Sequence, residues 1–264
     1  MRSHEYTKPC AICAENMIPK LIFFDLDGTL TESKQPLTEE MAALVARLLA
    51  VTNVAIISGG TLSQFLKQVV ERLPRDAVLT HLYLLPTSGA MLYERDKDEW
   101  RKVYEERLSE KEADTIAAAL REAAAETGLI DFSKPAYGER IEYRGSQVTL
   151  SALGQEAPLA LKKEWDIDRA KRRALQANIA ERLPEFSVSM GGSTSIDITK
   201  RNIDKAYGLR KLCERLRVSE SDALYIGDEL VAGGNDEAVF KTGVETRGVS
   251  DPQQTQRLIE ALID

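Results

Sequence analysis

Short continuous apolar runs alternate along this chain with longer segments whose apolar residues recur every three or four positions. Leu21-Ile22-Phe23-Phe24 is the pattern of a strand buried on both faces. It stops at Asp25-Leu26-Asp27-Gly28-Thr29-Leu30, where Gly28 permits a tight turn. Between Thr38 and Leu49, Met41, Leu44, Val45, Leu48 and Leu49 fall at helical spacing, with Thr38 as N-cap and Glu39 and Glu40 favourable in the first turn. Val51–Ile57 predicts a second strand ended by Ser58-Gly59-Gly60, Thr61–Leu73 a second amphipathic helix, and Leu79–Leu85 a third strand before the turn Pro86-Thr87-Ser88-Gly89. Strand, turn and helix in succession predict an α/β fold, a mostly parallel sheet with helical crossovers.

The middle of the chain changes character. Glu99–Thr127 predicts a helix with an Ala-rich stretch, Ile141–Arg144 and Gln147–Leu150 read as short strands, Asp166–Leu183 as a helix and Phe186–Met190 as a strand. That mixture predicts an inserted α+β domain over residues 90–187, dividing a core of residues 18–89 and 188–264, with residues 1–17 as an N-terminal tail. After Gly191-Gly192 the core pattern resumes: a strand at Ser195–Ile198, a helix at Lys205–Leu216 and a short strand at Leu224–Ile226 that ends in Gly227-Asp228-Glu229. Small elements follow at Ala238-Val239-Phe240 and around Val244, and Gln253–Leu262 closes the chain as a helix. The sequence carries no fixed-period repeat and no long low-complexity tract.

Composition narrows the function classes. The 264 residues, 43% hydrophobic and 29% charged, suit one large domain or two ordinary ones. Acidic residues outnumber basic ones by 42 to 35, for a formal charge of -7, which argues against bulk nucleic-acid binding. A small anionic substrate in one locally positive pocket remains compatible with that balance. No apolar run approaches a membrane span, and the first 20 residues lack the basic start and apolar run of a secretory leader, so a cytoplasmic protein is expected. Three cysteines, Cys10, Cys13 and Cys213, suit a reducing compartment. Cys10 and Cys13 have the spacing of a metal or redox pair, but there is no second pair and His4 and His81 are far apart, so an ordinary polar tail outweighs zinc.

The candidate chemistry lies at strand ends. Asp25 and Asp27 leave a strand predicted to be fully buried, at the carboxyl edge where open α/β sheets form ligand crevices. One carboxylate there can face an electrophile while the other reaches its leaving oxygen or a cation; the plainer alternative is an acidic turn. Ser58 could donate to a phosphoryl oxygen, Lys205 could neutralise the same group, and Asp228 could help hold magnesium, which takes hard oxygen ligands. Taken singly, Ser58 also reads as a cap, Lys205 as a solvated helix start, and Asp228 and Asp236 as loop acids.

In combination, Asp25-Leu26-Asp27-Gly28-Thr29-Leu30, Ile57-Ser58-Gly59-Gly60, Lys205, Gly227-Asp228-Glu229 and Gly233-Gly234-Asn235-Asp236 resemble the haloacid dehalogenase superfamily of phosphatases and phosphotransferases. The intervening segment resembles its large type IIB cap, inserted after the third strand of a Rossmann-like core. The resemblance implies Asp25 as a nucleophile that forms an aspartyl-phosphate and Asp27 as general acid and then general base. It also implies a magnesium ion anchored by Asp25, the Asp27 backbone carbonyl and Asp228, with Asp236 a ligand or support, and Ser58 and Lys205 balancing phosphoryl charge. Gly28 and Gly59 would bring backbone to the substrate.

The cap resembles that of eukaryotic-type phosphomannomutases and their bacterial phosphatase-like relatives. Ile141-Glu142-Tyr143-Arg144-Gly145 resembles the segment that places an arginine on the distal phosphate of a hexose phosphate. Ser195-Ile196-Asp197-Ile198 resembles the return to the core, where Ser195 and Asp197 would address sugar hydroxyls. Where the mutases carry Ile-Gly-Arg, this chain has Leu153-Gly154-Gln155, and glutamine lacks the charge and two-pronged grip of arginine; Lys162, Lys163 and Arg169 could compensate geometrically, or form an outward basic helix face. Hydrolysis of a small sugar phosphate is therefore the first expectation and hexose 1- and 6-phosphate interconversion the alternative; a phosphosugar-binding protein without turnover would not need both Asp25 and Asp27. The expected partner is a small phosphorylated metabolite, a hexose phosphate, with neither nucleic acid nor membrane. The apolar helix positions of the cap suit packing within one chain or a homodimer equally.

Overall fold

The computed structural model describes residues 18–264; the predicted tail, with Cys10 and Cys13, lies outside the described residues. The elements in chain order are β1 (Leu21–Phe24), α1 (Glu39–Leu49), β2 (Asn53–Ile57), α2 (Leu62–Gln68), β3 (Leu82–Leu85), β4 (Met91–Asp96), β5 (Glu99–Glu105) and α3 (Glu110–Thr127). They continue with β6 (Ile141–Tyr143), β7 (Gln147–Ser151), α4 (Leu159–Trp165), α5 (Ala170–Arg182), β8 (Phe186–Met190) and β9 (Ser195–Lys200). The chain ends with α6 (Lys205–Leu216), β10 (Ala223–Gly227), β11 (Glu245–Gly248) and α7 (Pro252–Ile263).

Seven strands form one sheet in the order β11-β10-β1-β2-β3-β4-β5. Its first five are parallel, and β4 and β5 add an antiparallel hairpin to the β3 edge. The continuous apolar runs follow from burial on both faces. Ile22, Phe24, Val54, Ile56, Leu224 and Ile226 pack with Val45 and Leu48 of α1 and Ile259 of α7. Their neighbours Leu21, Phe23, Ala55, Ile57 and Tyr225 point the other way, onto Leu209, Leu212 and Cys213 of α6. The expected α/β architecture is thus present.

The smaller sheet, β6-β7-β9-β8, is antiparallel. One face, with Val148, Leu150, Ile196 and Ile198, packs on Ile116 and Leu120 of α3 and Leu175 and Ile179 of α5, so the apolar positions of these helices are buried within the chain. The alternate residues Gln147, Thr149, Ser151, Asp197 and Thr199 are also buried, although all are polar. A buried polar face must find partners, and this one turns toward the carboxyl edge of the larger sheet.

Two expectations are corrected. Glu99–Glu105 is a strand rather than the start of a helix, because it pairs antiparallel with β4 across a turn in which Lys97 adopts a φ of 53°. The helix starts only at the Ser109–Glu112 capping box. The sheet pairing also divides the chain elsewhere than at residues 90–187: β4 and β5 belong to the larger sheet, and β9, expected in the core, belongs to the smaller one. Antiparallel pairing with β7 on one side and β8 on the other holds β9 there, with Ile196 and Ile198 on the apolar face.

The turn after β3 holds left-handed backbone at Thr87, Ser88 and Gly89 (φ 51°, 57° and 87°). It is braced by Ser88 N donating to Ser58 O (2.9 Å) and Thr87 N to Gly60 O (3.0 Å). Helix α6 crosses this turn at Gly208, where an added Cβ would stand 2.8 Å from Gly89 Cα. Alanine for glycine inside a helix ordinarily gains about 0.5–1 kcal/mol. We expect Gly208→Ala to lose about 1–3 kcal/mol instead, read as a lowered midpoint in chemical denaturation.

Candidate functional site

Parallel pairing of β1 with β10 sets Phe24 beside Ile226, so the residues that follow, Asp25 and Asp228, leave the sheet at the same edge. Asp25 N donates to Ile226 O at 3.0 Å, and β2, on the other side of β1, delivers Ser58. Gly28 turns the chain with a φ of 91°; a Cβ there would lie 2.4 Å from Asp228 Oδ2, so only glycine lets this turn and that carboxylate share the space. Asp204 caps α6, accepting from Tyr207 N, and the first helical residue is Lys205.

The carboxylates of Asp25, Asp228 and Asp236 place oxygens within 4.8 Å of one another. Lys205, 3% exposed, reaches Asp25 Oδ1 at 2.5 Å and Asp236 Oδ1 at 2.6 Å, and also contacts Asn235 Oδ1 at 3.2 Å. Tyr225 OH donates to the same Asp236 oxygen, and Glu229 N donates to Asp236 Oδ2 at 3.1 Å. Burial pushes the Asp25 carboxyl well above the ordinary carboxylate range, against the pull of Lys205 and with the help of Asp236 and Asp228. Burial, then Asp236 and Glu229, raises Asp228 to about 7. Lys205 is held charged because the attraction of Asp236 and Asp25 outweighs its own desolvation.

The group suits a divalent cation. Asp25 Oδ2 is buried and accepts no hydrogen bond, and a buried carboxylate oxygen without a partner is costly. A cation between Asp25 and Asp228 would satisfy it and relieve their repulsion, and the all-oxygen donor set matches magnesium. Asp27 turns its carboxyl away from the cluster: Oδ1 accepts from Lys34 N at 2.7 Å, and burial raises its pKa.

A cleft of about 590 Å³ opens above these groups and under the polar face of the smaller sheet. Asp25, Asp27, Gly28, Ser58, Gly59, Lys205 and Asp228 line it from below, and Arg144, Ser195 and Asp197 from above; Asp236 lies beneath, fully buried. Ser58 Oγ accepts from Gly60 N at 3.4 Å. The guanidinium of Arg144, expected to face the substrate, is already committed to Glu142 Oε2 (2.6 Å), Gly59 O (2.5 Å) and Gln155 Oε1 (3.2 Å). Gln155, at the position of the departure, also accepts from Lys34 Nζ at Oε1 (3.0 Å) and at its carbonyl (2.7 Å), and Lys162 Nζ reaches that carbonyl at 3.1 Å. Burial, and then the Lys162 and Arg144 charges, lower the pKa of Lys34 to about 8.

Lys34 and Tyr225 escaped the sequence reading, whereas Lys162 and Arg169 were among the basic residues set against the missing arginine. Lys34 meets Lys162 at Gln155 only in the fold, and no local pattern marks it. Arg169, at a φ of 62°, pairs both terminal guanidinium nitrogens with Glu229 at 2.7 Å, joining the segment before α5 to the loop after β10. Tyr225 had one visible signal, a hydroxyl in a strand otherwise wholly apolar.

The sequence profile of haloacid dehalogenase-like hydrolases matches residues 22–242. Phosphomannomutase of Spinacia oleracea is 24% identical over 244 residues, covering 90% of this chain and 93% of the relative. That of Saccharomyces cerevisiae is 26% identical over 259 residues, covering 92% and 94%. Among solved structures, N-terminally truncated IMP-nucleotidase of Plasmodium falciparum superposes with a TM-score of 0.69 at 17% identity, over 94% of this chain and 71% of that one. A Streptococcus mutans protein does so at 0.62 and 14%, over 92% and 98%; at such identities the likeness is one of fold.

Removing the lysine tests the electrostatics of the cluster. Lys205→Met strands buried carboxylates without their cation and should cost about 3–5 kcal/mol at pH 7. The folded carboxylates then hold protons more tightly than the unfolded ones, so stability falls as pH rises through the unfolded value near 3.8 toward the raised folded value. The deficit relative to the parent protein should therefore shrink toward pH 4.5, measured by denaturation at both pH values without added divalent cation.

Proposed function

Because the chain belongs to the haloacid dehalogenase-like hydrolase family, and is an enzyme of phosphatase or phosphomutase type, we propose that it hydrolyses a small sugar phosphate through an aspartyl-phosphate on Asp25. The observation that carries this reading is the unpartnered, buried Asp25 Oδ2, facing a cleft whose floor also holds Lys205 and Asp27. An Asp25 oxygen attacks phosphorus, the bond from phosphorus to the sugar oxygen breaks, and Asp27, whose burial raises its pKa and so favours its acid form, gives its proton to the departing alkoxide. Water then attacks the aspartyl-phosphate, losing a proton to Asp27 and releasing phosphate and free Asp25. Ser58 and Lys205 stabilise the phosphoryl oxygens. The Asp25 and Asp228 carboxylates and the Asp27 carbonyl would hold Mg2+, with Asp236 fixing Lys205 behind them; the ion supplies charge neutralisation when bound.

The smaller sheet with its helices, from the end of β5 to the start of α6, acts as the cap. Asp197 and Ser195 take sugar hydroxyls, Gly28 and Gly59 offer close backbone, and Arg144 frames the far side of the cleft. Among the described residues the lining mixes Ser, Thr, Gln, Gly, carboxylates and cations with a few aliphatic side chains such as Leu26, Val188 and Met190 and holds no aromatic ring, which suits a polyhydroxylated substrate better than a nucleobase seeking a stacking platform. One observation favours a second reading, hexose phosphomutase. Lys34 and Lys162 converge on the Gln155 carbonyl and bring positive charge to the place where the glutamine lacks it, which would favour a second phosphate.

Phosphorus NMR of magnesium-dependent incubations with mannose and glucose 1- and 6-phosphates, with and without the matching 1,6-bisphosphate, separates the two. Inorganic phosphate as the main product is expected; bisphosphate-stimulated conversion between 1- and 6-phosphates with little phosphate would establish the mutase. Asp25→Asn should lower turnover by at least about a thousandfold. Asp27→Asn should cost about 10²–10⁴ on a sugar phosphate and much less on an aryl phosphate, whose leaving group needs no proton.

A further inference from the structure

A buried hydrogen-bonded chain on the polar face of the smaller sheet takes no part in the steps above. Ser88 Oγ donates to Gln147 Oε1 at 3.1 Å. Gln147 Nε2 donates to Thr149 Oγ1 at 2.8 Å and to the Gly59 carbonyl at 3.1 Å, and Thr149 Oγ1 donates to Asp197 Oδ1 at 2.8 Å. Gln147 is fully buried, and Ser88, Thr149 and Asp197 are each less than a tenth exposed.

Proton accounting gives the chain one direction. The single hydroxyl proton of Thr149 goes to Asp197, so Thr149 can only accept from Gln147. Turning the Gln147 amide over would set its oxygen against the Gly59 carbonyl, so the amide is held one way round. At one end stands the left-handed Ser88, braced on Ser58. At the other stands a carboxylate whose Oδ2 lies so close to Gly59 and Gly191 that a Cβ on either would be 2.5 or 2.7 Å from it. Asp197 lines the cleft, whereas Gln147 does not reach it.

We propose that Gln147 is a positioning residue: it registers the smaller sheet on the Ser58-Gly59-Gly60 turn and, through Thr149, aims the Asp197 carboxylate at a substrate hydroxyl. Discrimination in favour of a polyhydroxylated phosphate then depends on a side chain that does not touch it. This inference rests on the sugar-phosphate reading given above.

The test compares binding of a hexose phosphate with binding of inorganic phosphate, by calorimetry with magnesium, in full-length protein carrying Asp25→Asn to prevent turnover. Adding Gln147→Leu should weaken hexose phosphate about tenfold, the worth of one well-aimed hydrogen bond to a charged group, and so erase most of its advantage over inorganic phosphate. Thr149→Val should do the same and Thr149→Ser should restore the preference, a rescue that a merely structural role would not show; because Thr149 itself lines the cleft, Gln147→Met, which keeps the length and removes the amide, serves if Gln147→Leu fails to fold. Equal weakening of both ligands, or an undiminished preference in Gln147→Leu and Thr149→Val, overturns the relay alone. A hexose phosphate bound no more tightly than inorganic phosphate before either change overturns the sugar-phosphate reading and the relay with it.

Discussion

One buried ammonium holds the carboxyl edge of the larger sheet together. Lys205 lies between Asp25 and Asp236 with its charge fully withdrawn from water, and Asp228 adds a third acid beside them. A buried ion pair gains little stability over an apolar equivalent, but losing one partner is severe. The arrangement therefore serves reactivity more than stability. It keeps Asp25 Oδ1 occupied and leaves the buried Oδ2 with nothing to accept. Tyr225 and the Glu229 amide saturate Asp236, so that it acts on the site through Lys205.

The rest of the molecule is arranged around that edge. Parallel pairing brings the acids to one line, and the strained Thr87-Ser88-Gly89 turn braces the Ser58 loop beside them. The smaller sheet then covers the cleft with a face that is polar and buried at once. It is held down by contacts that differ in kind: Arg144 and Gln147 on the Gly59 carbonyl, Lys34 on Gln155, and the paired Arg169 and Glu229. Most of these are single hydrogen bonds or partly exposed pairs, each of modest strength.

Much of this was legible from local pattern. The fully buried strands announced themselves as apolar runs, and the acids at their ends stood out because polar residues there have no packing reason to be present. Helix α6 begins at Lys205 because Asp204 caps it, a relation readable in four residues. Element type was less legible where pairing decides it: Glu99–Glu105 carries mixed polarity that satisfies a helix or a strand, and only β4 beside it settles the matter. The same holds for β9, whose sheet depends on which strands lie alongside.

By itself, then, the sequence determined the α/β core, the family and the acidic pair, because strand burial and turn chemistry are written in neighbouring residues. Tertiary structure alone decided that Arg144 spends its guanidinium on Glu142, Gly59 and Gln155, that Lys34 and Lys162 meet at Gln155, and that Gln147 joins Ser88 to Asp197. Each of these contacts spans many residues or depends on which way a side chain turns between two sheets, and local periodicity carries no information on either.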